Sequence, residues 1–248
     1  MNKQNGLDKY GVMNPVKSSE KVILILSGGL DSTTLLAKLV TENKQIYALT
    51  FDYGQKHGKK EIECAKKVCE YYKVVEHKIV SFPTFGSSAL TDNKIDIPEG
   101  HYEQENMKLT VVPNRNMIML SIAAGYAESL KIKRIYYGNH LGDHHIYWDC
   151  RESFLTKINN TLMENDLAEI KIISPFLYID KGDIVCIGKS LNVPYELTWT
   201  CYKGGDKACG VCGSCNERRE AFQKAKLLDP IKYAEQSLEP YIIPITNF

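Results

Sequence analysis

The sequence predicts an α/β fold, a doubly wound parallel sheet of Rossmann-like type with a small C-terminal zinc-binding region. Three observations carry this. Short apolar runs alternate along the chain with segments of helical periodicity. A glycine-rich turn joins the first apolar run to the first helix. Four of the eight cysteines crowd between Cys201 and Cys215. Strands alternating with helices imply a parallel sheet covered on both faces. In such sheets ligands bind beyond the carboxyl ends of the strands.

The elements follow in order. Residues 21–26 (KVILIL) form an apolar run that ends at Ser-Gly-Gly and reads as a buried strand. A helix is expected over 33–40, a second strand over 45–51 and a helix over 58–73, where Ile62, Ala65, Cys69 and Tyr72 recur at helical spacing. A third strand is expected over 73–80. Residues 81–112 are polar, carry Pro83, Gly86, Pro98 and Gly100, and lack periodicity; a loop this long is expected to act as a lid. A helix over 116–130 places Met117, Leu120, Ala124 and Ala127 on one side. A fourth strand over 134–137, a helix over 152–163, a strand near 170–173 and a helix over 181–191 complete the pattern. From Asp229 onward, Pro230, Pro240 and Pro244 predict irregular chain.

A chain of 248 residues suits one large domain with a small appendage. The expected division is a tail at 1–20, a nucleotide-binding domain at 21–194 and a metal-binding region at 195–248. Net charge is +1, from 31 basic and 30 acidic residues, with no basic block. This favours a small substrate over extended nucleic acid. No apolar run is long enough to span a bilayer, and the polar first twenty residues lack a signal-peptide core. A cytoplasmic protein is therefore expected, whose thiols stay reduced.

The strongest local signal is Ser27-Gly28-Gly29-Leu30-Asp31-Ser32, between strand and helix. Glycines let the backbone approach an anion, and the N–H groups of a helix start lack internal partners. The Ser27 and Ser32 hydroxyls add donors. Asp31 suits a metal ion or the loop itself better than a phosphate. The Gly-Lys-Ser/Thr ending of a Walker loop and the GxGxxG dinucleotide spacing are both missing. The segment resembles the PP-loop motif SGGxDS, whose families bind ATP and cleave it between the α- and β-phosphates.

Cys201, Cys209, Cys212 and Cys215 are spaced C-x7-C-x2-C-x2-C. Two-residue gaps let neighbouring thiolates converge on one ion, and four thiolates suit a closed, structural Zn²⁺ site. An iron–sulfur cluster also takes four thiolates; zinc is expected because the chemistry inferred below needs no electron carrier. Cys64, Cys69, Cys150 and Cys186 read as ordinary buried thiols.

From about residue 21 to residue 226 the chain is similar to the QueC family. The likeness rests on LSGGLDSTTLL at 26–36, FDYGQKH at 51–57, SALTD at 88–92, VPNRNMIMLSIAAGYAESL at 112–130, GDHHIYWDCRESF at 142–154 and TWTCYKGGDKACGVCGSCNERREAF at 198–222. Trp148 departs from the family's usual proline. The resemblance implies a homodimeric ligase that uses ATP, Mg²⁺ and Zn²⁺ to convert 7-carboxy-7-deazaguanine and ammonia to the nitrile through adenylated intermediates. It implies ATP contacts from Leu26, Ser27, Gly28, Gly29, Leu30, Asp31, Ser32, Thr33 and Thr34, with Arg115 organising the same loop ends. Asp31 and Lys181 are the expected catalytic residues. Asp143, Asp149 and Arg151 are the expected substrate contacts, because carboxylates suit a guanine-like donor edge and a guanidinium suits a carboxylate. His140, His144 and His145 cluster nearby as candidate bases. Two other uses of the same chemistry share these motifs: a QueC-like antiphage protein that joins activated deazaguanine to a protein, and a tRNA-modifying PP-loop enzyme.

Overall fold

A computed structural model describes residues 19–165 and 169–234. Most of the expected N-terminal tail, and Pro240 and Pro244 of the expected irregular C-terminus, lie outside them. The elements are β1 (Lys21–Ile25), α1 (Leu30–Thr41), β2 (Gln45–Asp52), α2 (Gly58–Tyr72), β3 (Glu76–Ser81), α3 (Arg115–Ser129), β4 (Arg134–Tyr136), α4 (Glu152–Met163), β5 (Lys171–Ile173), α5 (Lys181–Ser190) and α6 (Gly213–Lys224). The strands form one parallel sheet in the order β3-β2-β1-β4-β5, with Ile23 level with Tyr47 on one side and Ile135 on the other. The chain runs outward from β1 to β3, then returns to lay β4 against the other side of β1. That reversal opens a crevice beyond the carboxyl ends of β1 and β4.

Strand β1 shows why its sequence is uniformly apolar. Val22 and Leu24 pack with Leu35, Leu36 and Leu39 of α1, Val68 of α2 and Ile184 of α5. Ile23 and Ile25 pack with Leu120 and Ala127 of α3 and with Phe154 and Ile158 of α4. Both faces are buried, so no polar alternation survives. No helix among the described residues is long and apolar enough to cross a membrane.

Three expectations need correction. Helix α1 starts at Leu30 rather than residue 33, because Gly29 supplies the extended N-cap backbone; Asp31 and Ser32 thus stand in the first turn. Strand β3 begins at Glu76 rather than residue 73, because Lys73 takes a left-handed φ of 53° and ends α2. Cys186 is exposed, because α5 turns Ile184, Val185 and Gly188 inward instead.

Residues 82–112 are more ordered than a free lid. A 3₁₀ turn forms over Glu105–Thr110, and Ala89, Leu90, Tyr102, Met107 and Val112 are buried. The segment is strapped to the cysteine region: the Gly100 N–H donates to the Val211 carbonyl at 3.0 Å, and Asn216 Nδ2 donates to the Gly100 carbonyl at 2.6 Å.

Helix α6 was not anticipated, and its inward face explains why. Ser214, Cys215, Arg218, Ala221 and Phe222 are buried at helical spacing, but a guanidinium sits at the centre of the stripe. Arg218 is 0 % exposed. It donates through Nε to Asp229 Oδ2 (2.7 Å) and through Nη2 to Asp229 Oδ1 (3.0 Å), a bidentate pair. Its Nη1 donates to the Thr198 and Thr200 hydroxyls at 2.8 and 3.0 Å, and Nη2 also reaches the Tyr195 carbonyl. The rivet joins α6, the 195–200 segment and the chain after α6.

Arg218→Ala is expected to destabilise the protein by about 3–5 kcal/mol, because it strands a buried carboxylate. Arg218→Lys should restore little of this, since an ammonium lacks the planar fork. Urea unfolding measures both; a loss of under about 1 kcal/mol for the alanine variant would remove the rivet from the structure's supports.

Candidate active site and metal centre

The crevice is an open cleft with about 980 Å³ of empty space. Its floor is the turn from β1 to α1. Gly28 has φ +77°, and a Cβ there would meet Ala65 N at 2.5 Å and the Glu61 carbonyl at 2.7 Å, so only glycine lets the turn press onto α2. The Ser27 N–H donates to Ser32 Oγ (3.2 Å), the Gly29 N–H donates to Ser27 Oγ (3.1 Å), and the two hydroxyls lie 3.1 Å apart. No side chain caps the start of α1. Its first N–H groups are thereby left for an anion.

A charged cluster stands at one end of the cleft. Lys181 is the first residue of α5, a position where the helix dipole disfavours a cation. A capping box between Asp180 and Asp183 fixes the helix start, and Lys181 is 7 % exposed. Its ammonium bonds to Glu217 and lies 3.4 Å from Asp31 Oδ2. Burial works against its charge, but Asp31, Glu217 and Asp143 together hold it well above the ordinary lysine range. Burial raises the Glu217 carboxyl despite Lys181 beside it. Asp143 has both oxygens engaged, Oδ1 by the Tyr102 hydroxyl (2.9 Å) and Oδ2 by the His140 N–H (3.1 Å). Burial would raise its pKa, but His140, Lys181 and these hydrogen bonds bring it below the usual carboxylate range. His140 is 1 % exposed. Its Nδ1 accepts the Gly142 N–H, and its Nε2 lies 3.6 Å from Glu217 Oε1.

The other end is built from β2, α2 and α3. Arg115 opens α3, is half-buried, and lies over the rings of Tyr53 (5.7 Å) and Tyr147 (5.9 Å). It has no carboxylate within ion-pair distance among the described residues. Tyr53, Trp199 and Tyr202 supply aromatic walls, and Glu61 lines the same cleft.

Beside the cleft, the thiols of Cys201, Cys209, Cys212 and Cys215 lie within 4.8 Å of one another, with Cys209 Sγ and Cys215 Sγ 3.8 Å apart. Backbone N–H groups of Cys209 and Lys203 point at Cys201 Sγ (3.3 and 3.4 Å), and that of Cys212 points at Cys209 Sγ (3.4 Å). Donors so aimed favour thiolates, and the group could hold one metal ion.

The structure brings together Ser27, Gly29, Leu30, Asp31, Ser32, Arg115, Asp143 and Lys181 on one cleft. Thr33 and Thr34 turn into the protein, and the Thr34 hydroxyl meets that of Tyr195 at 2.9 Å. Leu26 is core. Asp149 stands behind the wall, accepting the Asn116 N–H at 3.2 Å, and so fixes the start of α3 beneath Arg115. Arg151 is exposed, with Nε donating to the His144 carbonyl. Neither Asp149 nor Arg151 lines the cleft. Cys150 does, unlike an ordinary core thiol. Glu217 was missed because its helix was missed. Glu61, Tyr53 and Tyr102 were missed because single residues in a helix and loops carry no spacing signal.

A family model described as "Queuosine biosynthesis protein QueC" matches residues 21–226. A 7-cyano-7-deazaguanine synthase of Psychromonas ingrahamii is 50% identical over 221 residues, which cover 88% of this chain and 99% of that protein. One from Hahella chejuensis is 50% identical over 217 residues, covering 86% and 93%. One from Caldicellulosiruptor saccharolyticus is 49% identical over 216 residues, covering 86% and 95%.

Replacing Cys212 by Ser is expected to lower bound metal and thermal stability together. A Tm lower by at least about 5 °C is expected, since about 1 kcal/mol moves Tm by roughly 2–4 °C at this chain length. Metal analysis and thermal melts on one preparation decide it; a variant that loses its metal but melts unchanged would remove any structural role for the ion.

Proposed function

This chain belongs to the QueC family, and on that premise we propose that it uses ATP to convert 7-carboxy-7-deazaguanine and ammonia to 7-cyano-7-deazaguanine. The observation that carries this reading is the uncapped start of α1 at a glycine turn, with Lys181 and Asp31 paired beside it. Such a floor receives phosphates, and a carboxylate needs phosphate chemistry before an amine can displace its oxygen.

The carboxylate oxygen attacks the α-phosphorus of ATP, and pyrophosphate leaves. Ammonia adds to the acyl carbon and expels AMP, giving the amide. The amide oxygen attacks a second ATP, again releasing pyrophosphate. Loss of AMP and of the remaining N–H protons leaves the nitrile. The α1 N–H groups and Lys181 stabilise charge on the phosphates, and the cleft holds the reactants in contact. Glu217, raised by burial, suits a group that accepts a proton from the incoming amine.

Two metal sites fit the residues present. Three carboxylates, Asp31, Asp143 and Glu217, face the single ammonium of Lys181, and Asp31 Oδ1 is buried without a partner. That excess suits Mg²⁺, with Asp31 as its protein ligand; the ion would neutralise phosphate charge. At the cysteines, thiolates about 2.3 Å from a central zinc stand about 3.8 Å apart in a tetrahedron, matching the Cys209–Cys215 spacing. A four-iron cluster would spread its thiolates further. Four thiolates would leave no open position, so a zinc ion held by Cys201, Cys209, Cys212 and Cys215 would support the wall and take no part in the chemistry. A cytoplasmic homodimer is the assembly that the family assignment supports, and light scattering of the purified protein tests it.

Incubation with the acid, ammonia and ATP should give AMP and pyrophosphate, resolved by ion chromatography, and the nitrile by mass spectrometry. ADP and phosphate as the main nucleotide products would overturn the adenylation route. Asp31→Asn should keep the fold and lower kcat by about 100-fold or more. Near wild-type turnover with an unchanged Mg²⁺ requirement would take the metal role away from Asp31.

A further inference from the structure

Four carboxylates line the cleft, and three of them face the Lys181 ammonium. Asp31 and Glu217 are held by Lys181. Asp143 has one oxygen on the Tyr102 hydroxyl and the other on the His140 N–H. Glu61, in the first turn of α2, differs from all three. Its Oε2 accepts from Gln55 Nε2 at 3.0 Å, and among the described residues no hydrogen bond reaches Oε1. Its ion-pair neighbour is His57, whose Nε2 lies 3.6 Å away. His57 is 3 % exposed, and burial lowers its pKa, so it brings no cation at neutral pH.

The carboxylate is nevertheless held firmly. Gln55 is 6 % exposed, donates also to the Phe51 carbonyl (3.1 Å), and accepts the Tyr53 N–H (2.9 Å). The backbone of Glu61 rests against Gly28, the glycine of the phosphate turn. A fixed anion with no cation partner among the described residues, beside a turn suited to phosphates, has a cost unless a ligand supplies donors. The surroundings name the ligand's shape. Tyr53 and Trp199 offer flat aromatic faces, and Arg115 offers a guanidinium without an ion-pair partner among the described residues.

We propose that Glu61 reads the N1–H and N2–H₂ donor edge of the deazaguanine, with Arg115 taking its carboxylate. This rests on the substrate reading given above. The chemistry selects between the two heterocycles in the reaction. A guanine-like edge presents two adjacent donors, which one carboxylate accepts together. Adenine presents one donor beside the N1 lone pair, which a carboxylate repels. Glu61 is thus a specificity residue for the acid and not for ATP.

The test compares 7-carboxy-7-deazaguanine with its analogue lacking the 2-amino group, on the full-length enzyme with ATP, Mg²⁺ and ammonium saturating. Wild-type enzyme should prefer the natural acid in kcat/KM by about 10- to 100-fold, the effect of one hydrogen bond to a charged group. Glu61→Gln should raise KM for the acid by a similar factor and leave KM for ATP and the Mg²⁺ requirement within about twofold. Its preference between acid and analogue should fall to within about threefold. The wild-type comparison needs no variant, so misfolding of Glu61→Gln cannot hide the result. Equal kcat/KM for acid and analogue on the wild type would overturn the proposal, as would a Glu61→Gln change confined to KM for ATP or to Mg²⁺. Wild-type enzyme that cleaves ATP but makes no nitrile from the acid would instead defeat the substrate reading itself.

Discussion

The site depends on one buried ammonium. Lys181 stands at a helix start, where the backbone dipole opposes it, and away from water, where its own charge is costly. It stays charged because carboxylates from three separate segments converge on it: Asp31 from the phosphate turn, Glu217 from α6 and Asp143 from the loop after β4. Each segment is tied down elsewhere, by Gly28 against α2, by Arg218 against Asp229 and by the capping box around His140. The cation therefore joins parts of the chain that are distant in sequence.

This arrangement explains why a thiolate site belongs beside the cleft. The cysteine region supplies Trp199, Thr200, Tyr202, Ser214 and Glu217 to the wall, and Cys201 and Cys215 bracket all but the first two and the last of them. The segment is too rich in glycine and charge to bury a wall by apolar packing alone. One ion held by the four thiols would fix the turns, and the 82–112 strap adds Tyr102 from the opposite side.

Much of the fold was legible because buried strands and amphipathic helices write their periods into the sequence. Strand β1 and its glycine turn are the clearest case, and the four cysteines are the next. Helix α6 was not legible, because its inward stripe is centred on Arg218, and burying a guanidinium becomes intelligible only once Asp229 is seen beside it. Asp149 and Arg151 show the converse. Their place after β4 suggested a binding role, yet a 3₁₀ turn over Trp148–Cys150 carries both off the cleft surface. Glu61 was read only as part of a helix; its importance comes from which neighbours lack a charge, and spacing does not record that.

The Arg218–Asp229 rivet has a consequence for how the chain is made. Asp229 and Tyr233, whose hydroxyl donates to it at 2.6 Å, follow α6 in the chain. Until they leave the ribosome, α6 carries an unneutralised guanidinium on the face it must bury, so Glu217 cannot settle against Lys181. The turn between β1 and α1 emerges early, while Lys181 waits for a carboxylate made 36 residues after it. Strap contacts between residues 100 and 211 add the same delay, since distant pairings close slowly. The wall of the site is therefore completed only after residue 229 has emerged, and a ribosome stalled before it would hold the glycine turn without its Glu217 partner in place.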